Sequence, residues 1–520
     1  MPDPSGLPTP SELHRAPDRA QAPLPAAFVL TEDPSTEAFD EGTVLLGGNP
    51  LRLFRISPRA RDLVERWRSG DPVGPSRAAR LLARRLVSAG AFLPRPPTAT
   101  LGPDDVTVVV PVRDRPAQLE RLLGALGGLA CVVVDDASAD PAATKLIAER
   151  HGARFVGLAV NAGPSGARNA GLAASERPIV AFVDSDCVPS EGWLGPLLGH
   201  FDDPLVAAVA PRIVPAAPAG PPSALSRYEA VRSSLDRGPD EGLVRPASPI
   251  PFVPSAAILV RSGVVTGPGL FDPGLRGGED VDLVWRLAQA GWDVRYEPAS
   301  TVAHDEPASL GSLLARQAFY GATAGPLALR HGDAVTPLHV SAWSLAVWML
   351  ALARRPVLAW ATLAASVAIL ADRLGGLVRD PVAVAMRIAA GGTARAAVPS
   401  LANLARAWSP ALLLGLAFRR TRRAAALALL VPALADWADN PEVLDPVRYV
   451  AFHVADDAAY GAGVWAGSAR ARTVVPLVPR VSWRARVWSS RSLHATLGGE
   501  PSGSHEGRSR RSGAAGPRDD

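Results

Sequence analysis

Residues 179–186 read Ile179-Val180-Ala181-Phe182-Val183-Asp184-Ser185-Asp186, an unbroken apolar run followed at once by two carboxylates. A second such run, Cys131-Val132-Val133-Val134, is followed by Asp135-Asp136. Near-continuous aliphatic runs are typical of parallel strands buried on both faces, and the carboxyl ends of such strands open into a ligand crevice. Acidic side chains at those ends suit a divalent metal and the phosphates that it carries. These stretches predict an α/β enzyme that uses a nucleotide-activated donor.

Strand-like and helix-like segments alternate around these two runs. The predicted strands are 106–110, 131–134, 155–158 and 179–183, with further strands at 206–214, 256–261 and 293–296. The predicted helices are 116–126, 140–151, 164–175 and 280–290. Strands that alternate with helices in this order indicate a doubly wound, mostly parallel, Rossmann-like sheet.

Bulk composition excludes several other classes of protein. The 520 residues are enough for two or three domains, and the 54 basic and 50 acidic residues nearly balance. The sequence contains no basic run with interleaved aromatic residues, the pattern that would indicate nucleic acid as a partner. The two cysteines, Cys131 and Cys187, both lie in predicted buried strands, which argues against a disulfide framework and fits a reducing compartment. The polar, Pro-rich start of the chain lacks the apolar core of a signal peptide.

Composition also suggests boundaries along the chain. We expect disorder at 1–23 and 499–520, which are rich in Pro, Gly, Ser and Arg. The remaining divisions are a small α+β domain at 24–93 with helices 58–68 and 76–89, a Pro-rich linker at 94–103, the sheet domain at 104–336 and a helical region at 337–498.

The helical region is rich in Ala and Leu and carries eight of the twelve tryptophans. Its apolar stretches are interrupted by arginine clusters at 354–355 and 419–423, so no segment offers a clean charge-free span of ~20 residues. Interfacial or re-entrant helices are at least as compatible with this pattern as full spans. The sequence therefore predicts a region at the cytoplasmic face of the cell membrane, peripheral or multi-pass. An Ala-rich soluble helical domain is the alternative.

Several polar residues are candidates for donor binding. Pro111 and Asp114 follow the first strand, where a nucleotide base could rest, and Asp135-Asp136 could accept hydrogen bonds from ribose hydroxyls or cap a helix. The small residues of 161–169 open a helix, so that its N–H groups and Arg168 could face a diphosphate.

Other polar residues suit metal binding and proton transfer. Asp184 and Asp186 can flank one Mg²⁺ or Mn²⁺ ion that also holds phosphate oxygens. Glu279-Asp280 begins a helix and could supply a general base or only a cap that the helix dipole favours. His304 ends an apolar run and could complete the metal shell, donate a hydrogen bond to the diphosphate or be structural.

The order of these motifs resembles family 2 glycosyltransferases with a GT-A fold. The resemblance covers roughly 104–310 and rests on D-D, N-x-G-x-x-x-A-R-N-x-G-L, D-x-D, G-E-D-x-D-L-x-x-R and a later His. It implies an enzyme that takes a sugar from a nucleotide-sugar. The implied donor contacts are Pro111, Asp114, Asp135, Asp136, Arg168 and Asp184, the implied metal ligands Asp184, Asp186 and His304, the implied catalytic pair Asp280 and Glu279, and the implied acceptor residues Trp285 and Arg286.

Further segments extend the resemblance over nearly the whole chain, to the mycofactocin-system glycosyltransferases of actinobacteria. They include Val209-Ala210-Pro211-Arg212, Arg227-Tyr228-Glu229-Ala230, Ala318-Phe319-Tyr320-Gly321 and Asp456-Asp457-Ala458-Ala459. This branch implies transfer of glucose, β-1,4-linked, from UDP-glucose to a redox cofactor made from a ribosomal peptide. The N-terminal unit resembles small peptide-binding domains, which implies that it holds a peptide as an added strand.

One departure limits the expected product. The Q-x-x-R-W motif of processive cellulose synthases is absent, and Arg316-Gln317-Ala318-Phe319-Tyr320 stands in the corresponding region. The resemblance therefore implies short oligosaccharides. The alternatives are a glycosyltransferase acting on a cell-envelope lipid or polysaccharide, a nucleotidyltransferase that releases pyrophosphate, and a non-catalytic scaffold.

Overall fold

A computed structural model of the chain describes residues 13–217, 220–265, 267, 269–307 and 309–482. The expected disorder at 1–12 and 499–520, and the end of the helical region at 483–498, lie outside the described residues. The N-terminal unit contains strands β1 (Val29–Glu32), β2 (Glu37–Phe39), β3 (Val44–Gly47), β4 (Arg52–Arg55) and β5 (Phe92–Arg95) and helices α1 (Pro58–Arg68) and α2 (Arg77–Ala89).

Local sequence explains the two helices of this unit. Ser57 accepts a hydrogen bond from the Ala60 N–H at the start of α1, with Pro58 in the first turn, and Gly90 ends α2 in the left-handed conformation at φ 77°. Strands β2, β3 and β4 form one antiparallel sheet, and β1 pairs with β5. One face of the three-stranded sheet packs against α1 and α2, and the other against helices of the C-terminal region.

The central domain follows the predicted alternation. Its elements are β6 (Val106–Val112), α3 (Pro116–Ala125), β7 (Cys131–Asp135), α4 (Pro141–Arg150), β8 (Arg154–Gly157), α5 (Gly163–Ala173), β9 (Ile179–Val183), β10 (Cys187–Pro189), α6 (Leu194–Leu198), β11 (Val206–Pro215), α7 (Ala224–Arg232), β12 (Gly242–Leu243), β13 (Ala257–Arg261), α8 (Glu279–Gln289) and β14 (Asp293–His304). These strands form one sheet in the order β10-β14-β11-β13-β9-β6-β7-β8, with β12 on β14.

The sheet is mostly parallel and is covered on both faces, as the aliphatic runs predict. Strands β6, β7, β8 and β9 are mutually parallel, whereas β13 runs antiparallel to both β9 and β11. One apolar core lies between the sheet and α3, α4 and α6, and a second between the sheet and α5 and α8. This is a GT-A type fold, and its parallel strand ends meet at one edge.

The C-terminal region is helical to residue 471. It consists of α9 (Leu310–Ala322), α10 (Ala324–His331), β15 (His339–Ser341), α11 (Ala342–Leu352), α12 (Pro356–Leu374), α13 (Pro381–Met386), α14 (Gly392–Gly415), α15 (Arg422–Ala438), α16 (Pro446–Ala471) and β16 (Arg480–Ser482). Helix α16 packs along α9, which borders the central sheet domain. In the described part of the chain, α12 alone has the length and apolarity of a membrane-crossing helix.

Two expected boundaries near the N-terminus differ in the structure. Residues 13–23 are not disordered throughout, because Arg19 forms an ion pair with the buried Asp293 at 2.9 Å and the Trp292 indole N–H donates to the His14 carbonyl. The first two residues of the predicted linker 94–103, Pro94 and Arg95, belong to β5 and pair with β1. Proline is tolerated there because β5 is an edge strand.

Candidate active site

A cleft of about 1150 Å³ opens at the carboxyl ends of β6, β7 and β9 and is closed on one side by α9. Four of the predicted residues line it along the strand ends: Pro111, Asp136, Asp184 and Asp186. Arg168 and His304, from α5 and the end of β14, also line it. The strand ends thus gather residues that are up to about 190 positions apart in sequence, as a switch point in an α/β sheet requires.

Arg168 joins the two acidic motifs. Its two terminal nitrogens donate to Asp184 Oδ1 at 2.6 Å and to Glu279 Oε1 at 2.9 Å, and its side chain is 3% exposed. Helix α5 can approach the sheet because Gly171 lies against Val109, where a Cβ atom would be 2.1 Å from the valine methyl. Arg168 is therefore a fixed cation between the motifs, with both ends of its guanidinium engaged by protein carboxylates.

Asp280 lies beside Glu279 in the first turn of α8. Its carboxylate accepts hydrogen bonds from the Val281 N–H at 2.8 Å and, at 3.4 Å, from the Ser255 N–H. Burial raises the pKa of Asp280 to about 7, and the neighbouring Glu279 carboxylate adds to the rise. A carboxylate with a pKa near neutrality is suited to general-base chemistry. Neither acid is among the residues that line the cleft, but Glu279 is bonded to Arg168, which lines it.

The predicted metal ligands meet at the end of β9. Pairing of β10 with β14 sets Cys187 opposite His304, so that His304 Nε2 lies 3.8 Å from Asp186 Oδ1. Burial raises the pKa of Asp184, and the Asp186 carboxylate raises it further against the opposing charge of Arg168. Asp186 is also paired with Arg115.

These residues fit a divalent ion that takes its other ligands from a diphosphate. Carboxylate oxygens such as those of Asp184 and Asp186 suit Mg²⁺ or Mn²⁺. The buried Nδ1 of the neighbouring His304 has no hydrogen-bond partner. Within the residues that the structure describes, no group of three His, Cys, Asp or Glu side chains is close enough to hold an ion alone.

The three acids predicted to contact the donor differ in whether they line the cleft. Asp136 lines the cleft, and its Oδ1 accepts from the Ala162 N–H at 2.6 Å. Asp135 is 1% exposed and accepts from the Ser138 N–H, as a turn acid does. Asp114 accepts from the Ala139 N–H at 2.7 Å and does not line the cleft. Of these three acids only Asp136 is placed to meet a ligand inside the cleft.

The predicted acceptor residues do not reach the cleft. Trp285 is 5% exposed, donates its indole N–H to the Pro251 carbonyl and packs edge-on against His331. Arg286 pairs with Asp282 at 2.7 Å and donates to the Leu270 carbonyl. The structure does not bring either side chain to the cleft, because the inner face of α8 is buried against the sheet, which the motif alone does not reveal.

Sequence reasoning missed the contribution of α9. Arg316, Phe319 and Tyr320 all line the cleft, and Arg316 bridges Glu306 at 2.7 Å and Glu229 at 3.0 Å. The three residues lie at i, i+3 and i+4, the spacing that places side chains on one helix face. That spacing, in a segment already singled out for its departure from Q-x-x-R-W, was the available signal.

Comparison with known protein families and sequences gives one matching family model and two relatives. The model of "Glycosyl transferase family 2" matches residues 107–259. A "Pre-mycofactocin glycosyltransferase" of Mycobacterium tuberculosis (strain ATCC 25618 / H37Rv) is 41% identical over 478 residues, which cover 88% of this chain and 98% of the relative. "Glycosyltransferase AglE" of Haloferax volcanii is 27% identical over 262 residues, covering 47% of this chain and 80% of AglE.

Solved glycosyltransferase structures match this chain at lower similarity. The mannosyltransferase PcManGT from Pyrobaculum calidifontis, in complex with GDP-Man and Mn2+, is 19% identical with a TM-score of 0.34, covering 66% of this chain and 91% of that one. GalNAc-T7 with UDP, GalNAc and Mn2+ is 16% identical with a TM-score of 0.30, covering 39% and 44%.

Proposed function

The chain belongs to glycosyltransferase family 2, in the branch of the pre-mycofactocin glycosyltransferases, and from that premise we propose that it transfers glucose from UDP-glucose to pre-mycofactocin. The observation that carries the proposal is the 41% identity over 98% of a relative with that name. The proposed reaction inverts the anomeric configuration, so that the product is a β-glucoside.

Asp280 is the proposed general base. It takes the proton from the acceptor hydroxyl while the acceptor oxygen attacks the anomeric carbon from the face opposite the diphosphate. The bond from that carbon to the diphosphate breaks, and UDP leaves. Arg168 holds Glu279 and Asp184 in place through its two short ion pairs, so that the base and the strand-end acids keep a constant separation.

The remaining cleft residues are proposed to hold the donor. Asp136 faces the nucleoside, and the helix start after Asn161 faces the diphosphate. Asp184, Asp186 and His304 would hold a Mg²⁺ or Mn²⁺ ion, which neutralises charge on the departing diphosphate when bound. Short oligosaccharides are the proposed products, because the processive motif is absent.

A product assay tests the proposal. The purified chain is incubated with pre-mycofactocin and, separately, with UDP-glucose, UDP-galactose, UDP-N-acetylglucosamine and GDP-mannose, with MgCl₂, MnCl₂ or a chelator. We expect mass spectrometry to show addition of hexose units from UDP-glucose only, with release of UDP and loss of activity in chelator. Release of pyrophosphate, or transfer only to a lipid acceptor, would contradict the proposal.

A further inference from the structure

One face of α9 forms a wall of the cleft. Phe319 is 48% exposed although it lines a concave site, and its ring lies 6.0 Å from that of Tyr320. Among the described residues that line the cleft, these two supply the only phenyl or phenol rings. An exposed aromatic ring costs free energy in water, so its place inside a site is best explained by a ligand that covers it.

This wall stands next to the proposed base. The loop that precedes α8 rests on α9, because a Cβ atom at Gly277 would lie 2.6 Å from Phe319 Cζ and 3.1 Å from Thr323 Cγ2. Gly277 is three residues before Asp280. The pKa of Tyr320 is raised to about 12, chiefly by burial, with the Arg316 guanidinium opposing the rise and the carboxylates of Asp280 and Asp184 adding to it. Tyr320 therefore lies within electrostatic reach of both acidic motifs.

We propose that Phe319 and Tyr320 form the acceptor subsite, in which a ring of the acceptor stacks its apolar face on Phe319 and directs a hydroxyl toward Asp280. The inference rests on the proposed transferase reaction and assigns to α9 the role that the sequence assigned to Trp285. The ligand chemistry is a ring with one apolar face and a hydroxyl on its edge. Both an aromatic ring of the unglycosylated acceptor and the C–H face of a terminal pyranose have that chemistry.

Two substitutions of Phe319 distinguish its proposed stacking on the acceptor from its contact with the loop before α8. Phe319→Leu keeps an apolar side chain against Gly277 but removes the ring face, and Phe319→Trp keeps a ring. We expect Phe319→Leu to raise the acceptor KM about tenfold, the loss of roughly one stacking contact, and Phe319→Trp to restore it to within about threefold of the wild type. The dissociation constant for UDP, measured by titration calorimetry, should be unchanged in both variants, as should the melting temperature.

Kinetics with two different acceptors show whether the stacked ring belongs to the unglycosylated acceptor or to a terminal pyranose. Kinetics are measured with pre-mycofactocin and with the singly glycosylated product isolated from the first round. An effect confined to the first acceptor assigns the subsite to the unglycosylated ring, and an effect confined to the second assigns it to a pyranose. An unchanged acceptor KM with both, or an equal loss in the Leu and Trp variants, would overturn the proposal.

The Phe319 variants can also be compared if pre-mycofactocin is not the acceptor. If the wild-type enzyme ignores pre-mycofactocin but glycosylates p-nitrophenyl β-glucoside, the proposed function fails, and the same variants are compared on that glucoside. A tenfold rise in its KM for Phe319→Leu would still support the aromatic subsite, and no rise would refute it.

Discussion

Arg168 connects two acidic motifs that are far apart in the sequence. Asp184 and Glu279 are 95 positions apart in the sequence, yet both bond the same buried guanidinium. A charge removed from water needs partners of opposite sign, and here the two carboxylates supply them. Arg168 therefore links Asp184, at the end of β9, to Glu279, the neighbour of the proposed base Asp280, and both ends of its guanidinium are occupied.

The base assignment predicts a specific loss of turnover. Asp280→Asn cannot accept a proton, so we expect kcat to fall by about 10²- to 10⁴-fold while the dissociation constant for UDP changes little. Asp305→Asn is the matched control, because this exposed carboxylate lines the same cleft and has no assigned part in the reaction. A variant with near wild-type turnover would remove Asp280 from the mechanism.

The pH profile supplies a second readout for the same residue. Burial and the Glu279 carboxylate raise the pKa of Asp280 to about 7, and only the ionised form can act as the base. The rate in the wild-type enzyme should therefore be full above this pH and fall as the pH drops through about 7. A rate that stays constant down to pH 5 would contradict the assignment.

At the scale of elements, the close contact of α9 with α16 sets the shape of the cleft. A Cβ atom at Gly321 would lie 2.0 Å from the Tyr460 carbonyl oxygen, and one at Gly463 would lie 2.0 Å from that of Ala318. Only glycine allows the two helix backbones to approach this closely. The other face of α9 carries Phe319 and Tyr320. The packing of the C-terminal helices therefore determines where the proposed acceptor subsite lies.

Glycine substitutions on α9 test this contact. Gly321→Ala should lower the free energy of unfolding by about 1–3 kcal/mol, because the added methyl group overpacks a backbone contact. Gly311→Ala on the same helix should be neutral or slightly stabilising, because the nearest atom to its Cβ is 4.0 Å away. Denaturant unfolding measures both, and equal effects would contradict the close-contact explanation.

At the scale of the whole molecule, the N-terminal unit is tied to the central domain by buried charges. Arg84 in α2 forms a bidentate ion pair with Asp203, and each side chain is 1% exposed. Removing residues 1–95 would leave the buried Asp203 without Arg84, and the buried Asp293 would lose Arg19 and keep its pair with Arg245. A truncation would therefore test stability together with peptide binding. The peptide-binding role of this unit stays a prediction.

The C-terminal helices expose a large apolar surface. Leu352, Val357 and Trp360 are 79%, 78% and 71% exposed, and Arg354 and Arg355 lie between them in the sequence. Apolar side chains flanked by arginines are typical of helices that lie in the interface of an anionic membrane. We propose that this surface binds the cytoplasmic leaflet.

Vesicle flotation tests the membrane proposal. The chain should float with vesicles that contain anionic phosphatidylglycerol, and float less with phosphatidylcholine alone. Trp360→Ser combined with Val357→Ser should reduce flotation several-fold, because it removes two largely exposed apolar side chains. The matched control is Val160→Ser, an exposed valine outside this region, and equal flotation of all variants would count against the surface.

Much of the central fold was predictable because periodicity and capping are local signals. The predicted helix 116–126 is observed at Pro116–Ala125, and the predicted strand 179–183 is observed at those residues. The antiparallel direction of β13 was not predictable from its apolar residues, because periodicity carries no information on strand direction. The start of the predicted linker at residue 94 was not predictable, because a Pro-rich stretch can also end an edge strand, as Pro94 and Arg95 do in β5.

The amino-acid sequence by itself determined the α/β sheet, the acids at its strand ends and the family, because these depend on aliphatic runs and on the order of short motifs. The tertiary structure alone decided which residues share the cleft. It buried Trp285 and Asp135, engaged Arg168 with two carboxylates and brought Phe319 to the wall. The physical reason is that side-chain exposure and ion pairing depend on packing between distant segments, which a local pattern does not specify.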